Sequence, residues 1–224
     1  MKKTEGFPDE KIGLVIRRLK RQVSTLQVPY LEQMVSVDRS PFKVLVSCIL
    51  SLRTQDKTTS EASERLFAIA DTPEKLASLS AKEIEKAIYP VGFYRVKAKN
   101  LKKISREIIT RFGGEVPATI DELLTLNGVG RKTANLVVTL GWNLPGICVD
   151  THVHRITNRW GYVKTKTPEK TEFALREKLP RRYWKEINGL LVAFGQGICK
   201  PISPLCSRCE ISRFCQRVGV KRSR

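Results

Sequence analysis

Apolar residues recur along this chain with the spacing of helices. Ile12, Val15, Ile16, Leu19, Val23 and Leu26 fall at i, i+3, i+4 and i+7 steps, one buried stripe of an amphipathic helix. Ser40-Pro41 reads as an N-cap followed by proline at the first helical position, opening an apolar segment over 41–52. Thr72-Pro73 repeats that signal, and Ser80 with Glu83 has the spacing of a capping box. The stretch 93–113 predicts a long amphipathic helix closed by Gly113. A short helix over 120–126, another continuing from Lys132, and helices over 151–161, 168–179 and 182–195 complete the set. Alternating strand patterns are missing, and Asn127-Gly128 and Asn188-Gly189 both sit in helical contexts rather than between β-branched runs. The expectation is an all-α protein, without solenoid repeats.

Charge narrows the class of partner. The 224 residues carry 41 Lys and Arg against 22 Asp and Glu, a net charge of +19. An excess of that size points to a polyanion, because phosphate backbones release counterions to basic faces. It does not by itself separate DNA from RNA or an anionic membrane surface. The tail from Gly195 to Arg224 is especially basic, with Lys200, Arg208, Arg213, Arg217, Lys221, Arg222 and Arg224 against Glu210 alone. The most apolar run, 43–52, is too short to span a bilayer, and no signal peptide is recognisable. The chain therefore reads as a protein of the cytoplasm with no membrane partner and, were the polyanion DNA, associated with the nucleoid in a prokaryote.

Six cysteines in a reducing compartment need an explanation other than disulfides. Cys199, Cys206, Cys209 and Cys215 follow a C-x6-C-x2-C-x5-C pattern broken by Pro201 and Pro204, the composition of a loop that wraps one metal centre. Zinc and a [4Fe–4S] cube both accept four thiolates, and the single C-x2-C step favours the cube without excluding zinc. Cys48 and Cys148 lie in apolar surroundings and read as small core residues.

Two further stretches carry candidate chemistry. In "LNGVGRKTAN" (126–135), Gly128 and Gly130 allow a tight turn, and the next helix directs its first amides and its positive dipole end toward an anion. That is a helix–hairpin–helix pattern, which grips a nucleic-acid phosphate without reading sequence. Lys132 falls near the start of the helix, where the dipole and Arg131 should lower its pKa and enrich the free amine that attacks carbon. Asp150, in "VDTHVHR" (149–155), is by default the N-cap of the following helix. It could also stabilise positive charge developing on a sugar. His152 and His154, two apart on a helix, point in different directions and do not read as a metal pair.

Taken together and in this order, these three motifs resemble the endonuclease III family of base-excision DNA glycosylases, over nearly the whole chain from the helix near 41 to Cys215. The resemblance implies a helix–hairpin–helix glycosylase fold with two helical domains and a DNA-binding cleft between them. One would be a six-helix barrel over 34–144, with the hairpin at about 120–141. The other would be discontinuous, 1–33 plus 145–224, with one [4Fe–4S] cluster in the loop 199–215. It implies excision of oxidised pyrimidines from damaged double-stranded DNA by a monomer. Lys132 would attack C1′, pass through a Schiff base and cut the strand by β-elimination, with Asp150 supporting the electron-poor sugar. Gly128, Val129, Gly130, Arg131 and Thr133 would grip DNA through the hairpin, with His152, Lys200 and Arg208 adding contacts. Phe93 or Val91, in "VGFYRVKAKN", would be the apolar wedge entering the stack. Where the family often carries glutamine to fill the gap left by the extruded base, this chain has Arg53, and Gln55 is shifted. Lysine at position 132 separates the chain from adenine and thymine-mismatch relatives. The alternatives are a mismatch-specific glycosylase of the same superfamily, or a non-catalytic iron–sulfur module that binds DNA or senses redox state.

Overall fold

A computed structural model describes Phe7, 9–26 and 28–224. Among the described residues the chain forms helices and no strand. In chain order these are α1 (Ile12–Val23), α2 (Tyr30–Val37), α3 (Pro41–Ser51), α4 (Asp56–Phe67), α5 (Pro73–Ser78), α6 (Ala81–Ile88) and α7 (Tyr94–Phe112). They continue as α8 (Ile120–Leu124), α9 (Arg131–Leu136), α10 (Thr151–Trp160), α11 (Pro168–Lys178) and α12 (Ile187–Gly197). They divide between two compact units. One is Tyr30–Gly146, and the other joins the described residues up to Pro29 with Ile147–Arg224.

The unit over 30–146 is organised around α3, buried from Val44 to Leu50 and packed on α2, α4, α7 and α9. Capping explains where its helices begin. Ser40 accepts from the Lys43 amide ahead of Pro41, Thr72 accepts from that of Lys75, and Ser80 and Glu83 form the reciprocal box. Each such cap satisfies amides that the helix itself leaves unpaired, worth about 1 kcal/mol. Gly113, at φ 64°, closes α7 in the left-handed conformation. Past α9 the helix widens into one π turn, Val137–Gly141, that packs on α3. Gly141 lies there because a Cβ would stand 2.8 Å from the Pro41 Cα.

In the other unit α1 and α10 pack on α12, and α11 packs on α10. Ile12, Val15, Ile16 and Leu19 enter a core with Val153, Ile156, Trp160, Leu191 and Phe194. The stripe expected to run to Leu26 leaves the helix after Val23, yet Leu26 still packs against this core. The helix expected over 182–195 is broken. A 3-10 turn, Arg181–Tyr183, precedes the bend into α12, and the Trp184 indole N–H donates to the Leu179 carbonyl at 2.8 Å. Satisfying that half-buried donor goes with a chain held out of helical register.

Candidate active site and cysteine centre

The hairpin stretch lies in the 30–146 unit, where α8 leads into α9. Leu126 and Val129 anchor it in the core, and the Val129 amide donates to the Leu126 carbonyl at 3.1 Å. Between them Asn127 is braced from α7: its amide donates to Glu107 Oε2 at 2.9 Å, its side-chain NH2 to Asn100 Oδ1, and its Oδ1 accepts from Lys103. The two glycines differ in kind. Gly128 has φ 73°, and a Cβ there would lie 2.3 Å from Asn100 Nδ2, so both backbone and neighbour require glycine. Gly130, at φ −98°, caps α9 without a side chain, and a Cβ on it would meet nothing within 4 Å. Neither backbone conformation nor a neighbouring atom requires glycine at this position. Lys132, in the first turn of α9, is exposed, and Thr133 beside it is buried. Burial pushes the nearby Cys48 thiol up to about 12, with the Lys132 ammonium opposing.

Two loops of the same unit carry Arg53 and Phe93. Both residues take left-handed backbone, φ 53° and 59°, and the Arg53 guanidinium lies 5.5 Å from the centre of the Phe93 ring. Phe93 is 60% exposed, whereas Val91 is 1% exposed. Val91 is therefore corrected as a wedge candidate, because it would have to leave the core to enter a base stack. Gln55 is exposed at the N-cap position of α4 and makes no side-chain cap. Lys97 was not anticipated as a site residue. Its ammonium is buried and donates to Leu50 O at 2.8 Å, Leu52 O at 2.6 Å and Thr54 Oγ1 at 3.3 Å. A signal existed: Lys97 precedes Leu101, Ile104 and Ile108 at the spacing of a buried stripe, where a lone lysine is out of place.

Asp150 lies in the other unit and caps α10. Its Oδ1 accepts from the amides of His152 and Val153, each at 2.9 Å, so both cap bonds use one oxygen and Oδ2 stays outside the cap. The segment before it is fixed by burial of Ile147, Cys148 and Val149. His152 packs on α12, where a Cβ at Gly195 would come 2.2 Å from its Nδ1. The His154 ring bonds Thr171 at 2.6 Å, a contact within the helical core.

The four cysteines of the basic loop line one pocket, together with Trp160, Phe194, Ile198 and Leu205. Arg159 on α10 organises the loop: it donates to Cys199 Sγ at 3.4 Å, Lys200 O at 2.7 Å and Pro201 O at 2.6 Å. Arg155, one turn earlier, donates to Cys199 O at 2.9 Å. Past Cys215 the chain returns along the loop. The Gln216 and Val218 amides reach the carbonyls of Trp160 and Arg159, and that of Arg224 reaches Pro204. Lys200 is half-buried and Arg208 exposed, the latter's carbonyl accepting from Gln22.

The chemistry of this donor set fits a thiolate-bound metal centre. Burial, reinforced by the other thiols, pushes Cys209 up to about 12, and burial raises Cys215 as well. Four sulfurs thus share an apolar pocket where unligated thiolates are strongly disfavoured and a cationic centre would relieve them. Two sulfurs also receive N–H donors, from Arg159 to Cys199 and from the Arg217 amide to Cys215 at 3.4 Å. Among the described residues, no three His, Cys, Asp or Glu side chains close on a single ion.

Comparison with known proteins adds what geometry alone does not. The HhH-GPD superfamily base excision DNA repair protein family matches residues 46–181. Endonuclease III of Thermotoga maritima is 48% identical over 179 residues, covering 80% of this chain and 84% of that protein. Endonuclease III homolog 1, chloroplastic, of Arabidopsis thaliana is 39% identical over 95% of this chain, which spans 60% of that longer protein. Among solved structures, a trapped endonuclease III–DNA covalent intermediate superposes with a TM-score of 0.82. It has 31% identity and covers 94% of this chain and 96% of that one. The helical architecture, the hairpin and these likenesses agree, and the chain belongs to the endonuclease III family of the HhH-GPD superfamily of base excision DNA repair proteins.

Proposed function

We propose that this endonuclease III family member, a bifunctional DNA glycosylase and abasic-site lyase, removes oxidised pyrimidines from duplex DNA with Lys132 as nucleophile and Asp150 as electrostatic partner. The observation that carries the reading is local to α9: an exposed lysine in the first helical turn, next to a cap glycine with nothing in front of its α-carbon. A phosphate held by that cap would bring the sugar of an extruded nucleotide within reach of the Lys132 amine. Base excision requires such extrusion, since the glycosidic carbon is inaccessible inside the stack.

The neutral Lys132 amine attacks C1′, the glycosidic bond breaks, and the base leaves with the bonding pair and takes up a proton. The nitrogen gives up the proton that the base gains, the ring then opens with O4′ taking up a proton from solvent, and the nitrogen is left as a protonated imine. That imine acidifies C2′–H; loss of this proton expels the 3′ phosphate, and water releases the lysine. Asp150 Oδ2, outside the helix cap, is the oxygen available to stabilise positive charge on the sugar. Asp150 thus has two roles, holding the end of α10 through one oxygen and presenting charge through the other.

We assign a [4Fe–4S] cluster to Cys199, Cys206, Cys209 and Cys215, supported by their shared pocket and by the donors aimed at two of the sulfurs. The cluster would supply an electron-delocalised, cationic iron core for the four thiolates. No step of base removal is routed through it. The net charge of +19 and the basic loop around Lys200 and Arg208 support damaged double-stranded DNA as the partner.

Borohydride trapping tests the assignment. Wild-type protein should become covalently linked to a duplex carrying thymine glycol, and Lys132→Ala should not. Wild type that excises the base without trapping would remove the lysine mechanism. Trapping confined to G·T mismatches would move the chain to mismatch repair, and specific DNA binding with no excision would make it a non-catalytic module.

A further inference from the structure

Lys97 is a buried charge that the chemistry above does not use. Among the described residues its ammonium donates to the carbonyls of Leu50 and Leu52 and to the hydroxyl of Thr54, none of them a carboxylate. They lie where α3 ends and the chain bends into the loop carrying Arg53. The same Thr54 oxygen accepts from the Gly92 amide at 3.2 Å. Gly92 is glycine because a Cβ would lie 2.7 Å from the Arg53 carbonyl. The loops around 53 and 93 are therefore joined by a backbone amide on the Thr54 hydroxyl and by close packing of Gly92 on the Arg53 carbonyl, and Lys97 bonds the same hydroxyl. On the outer side of this junction stand two exposed residues in left-handed conformation, Arg53 and Phe93, stacked as cation on ring. Holding two non-glycine residues in that conformation costs about 1–3 kcal/mol each and persists only where the surroundings over-determine it.

We infer that Lys97 is a positioning residue which, through Leu50, Leu52 and Thr54, locks the Arg53 and Phe93 loops into one preformed cation–aromatic wedge that enters the DNA stack as a unit. An ammonium suits this task. Three donors on one atom can gather three oxygens from two adjoining turns, which no neutral side chain of similar length can do. Burial makes each of those bonds costly to lose, so the junction holds one geometry. A wedge organised before contact avoids the ordering cost a mobile loop would meet on insertion. The inference rests on the reading of Phe93 as the inserted residue and deepens it by naming what holds it.

The test separates base extrusion from chemistry. Lys97→Met keeps the length and loses the donors, Lys97→Arg restores donors, and Phe93→Ala removes the ring. Single-turnover rates are measured on a thymine glycol duplex, which needs extrusion, and on a preformed abasic site, which has no base to expel. Lys97→Met should lose about 10-fold or more on the first substrate relative to its change on the second, and Lys97→Arg should recover most of it. Adding Lys97→Met to Phe93→Ala should cost no more than Phe93→Ala alone, because both act through one wedge. Equal losses on the two substrates, or losses that multiply in the double variant, overturn the inference. Thr54→Val, which cuts the Lys97 and Gly92 bonds together, gives the same comparison should Lys97→Met fail to fold. A wild type inactive on both substrates would instead overturn the proposed function.

Discussion

The two glycines of the hairpin offer the sharpest separation of architecture from DNA contact. Consider Gly128→Ala and Gly130→Ala side by side. At Gly128 the φ of 73° places an added methyl in left-handed backbone, a cost of roughly 1–2 kcal/mol for an L-residue. The methyl would also lie 2.3 Å from Asn100 Nδ2, and moving that amide breaks its bond to Asn127. One such bond is worth about 1 kcal/mol, giving a total near 2–3 kcal/mol. With a urea m-value of about 2–3 kcal/mol/M, the unfolding midpoint should fall by roughly 1 M. At Gly130 the φ is −98° and the methyl would meet nothing, so the midpoint should move by no more than about 0.5 kcal/mol worth of stability. If the proposed cap grips DNA, the same methyl would stand in the path of a phosphate oxygen approaching the α9 amides. Affinity for a duplex with a non-cleavable abasic analogue, read by anisotropy at fixed salt, should then fall about tenfold, or about 1.4 kcal/mol. Unchanged affinity in Gly130→Ala would mean that no anion is held at this cap. An unchanged midpoint in Gly128→Ala would refute the steric argument.

Three other outcomes are expected. Asp150→Asn should keep α10 capped, because asparagine caps about as well as aspartate, while losing the charge; thermal stability should stay close to wild type as single-turnover excision drops by about 100-fold or more. A parallel loss of both would make Asp150 a cap and nothing else. Cys199→Ser removes a proposed cluster ligand that also receives Arg159, so anaerobically purified variant should hold far less than the about four irons per chain expected of wild type, by colorimetric iron assay. Stoichiometric zinc in the wild type would refute the assignment. Burial lowers Lys97 to about 8, whereas the unfolded chain keeps its proton to about 10.4. Between these values the unfolded state binds more protons, so this lysine's contribution to stability rises with pH. The gain in urea midpoint from pH 7 to 9.5 should accordingly be smaller in Lys97→Met than in wild type; equal gains would show that Lys97 does not titrate in this window.

Features governed by a few neighbouring residues could be read from the sequence. The caps at Ser40, Thr72 and Ser80 and the stop at Gly113 depend on one side chain and a few amides, and they occur where the pattern places them. The hairpin was legible for the same reason, although nothing local said that Gly128 is demanded by Asn100, far away in sequence. What escaped detection depends on distant partners. Trp184 bonds Leu179 where the expected helix over 182–195 is broken, and the π turn after α9 packs against α3. Val91 and Phe93 look equally suited to insertion in the sequence, and only burial separates them. Lys97 and Arg159 were passed over among 41 basic residues because a charge count cannot tell a solvated lysine from one satisfied by carbonyls.

The split of one unit across both ends of the chain sets an order of assembly during synthesis. The apolar stripe of α1 emerges early, yet the partners that cover it, from Ile147 to Ile211, are all encoded after the other unit is complete. At about 5–20 residues per second, the ribosome needs roughly 3–13 s to supply them. Throughout that interval a nascent chain displays an amphipathic helix with its greasy side uncovered, the kind of surface chaperones bind. Slow decoding downstream of residue 146 would lengthen this exposure, so yield in a heterologous host should depend on translation speed in the last third of the message.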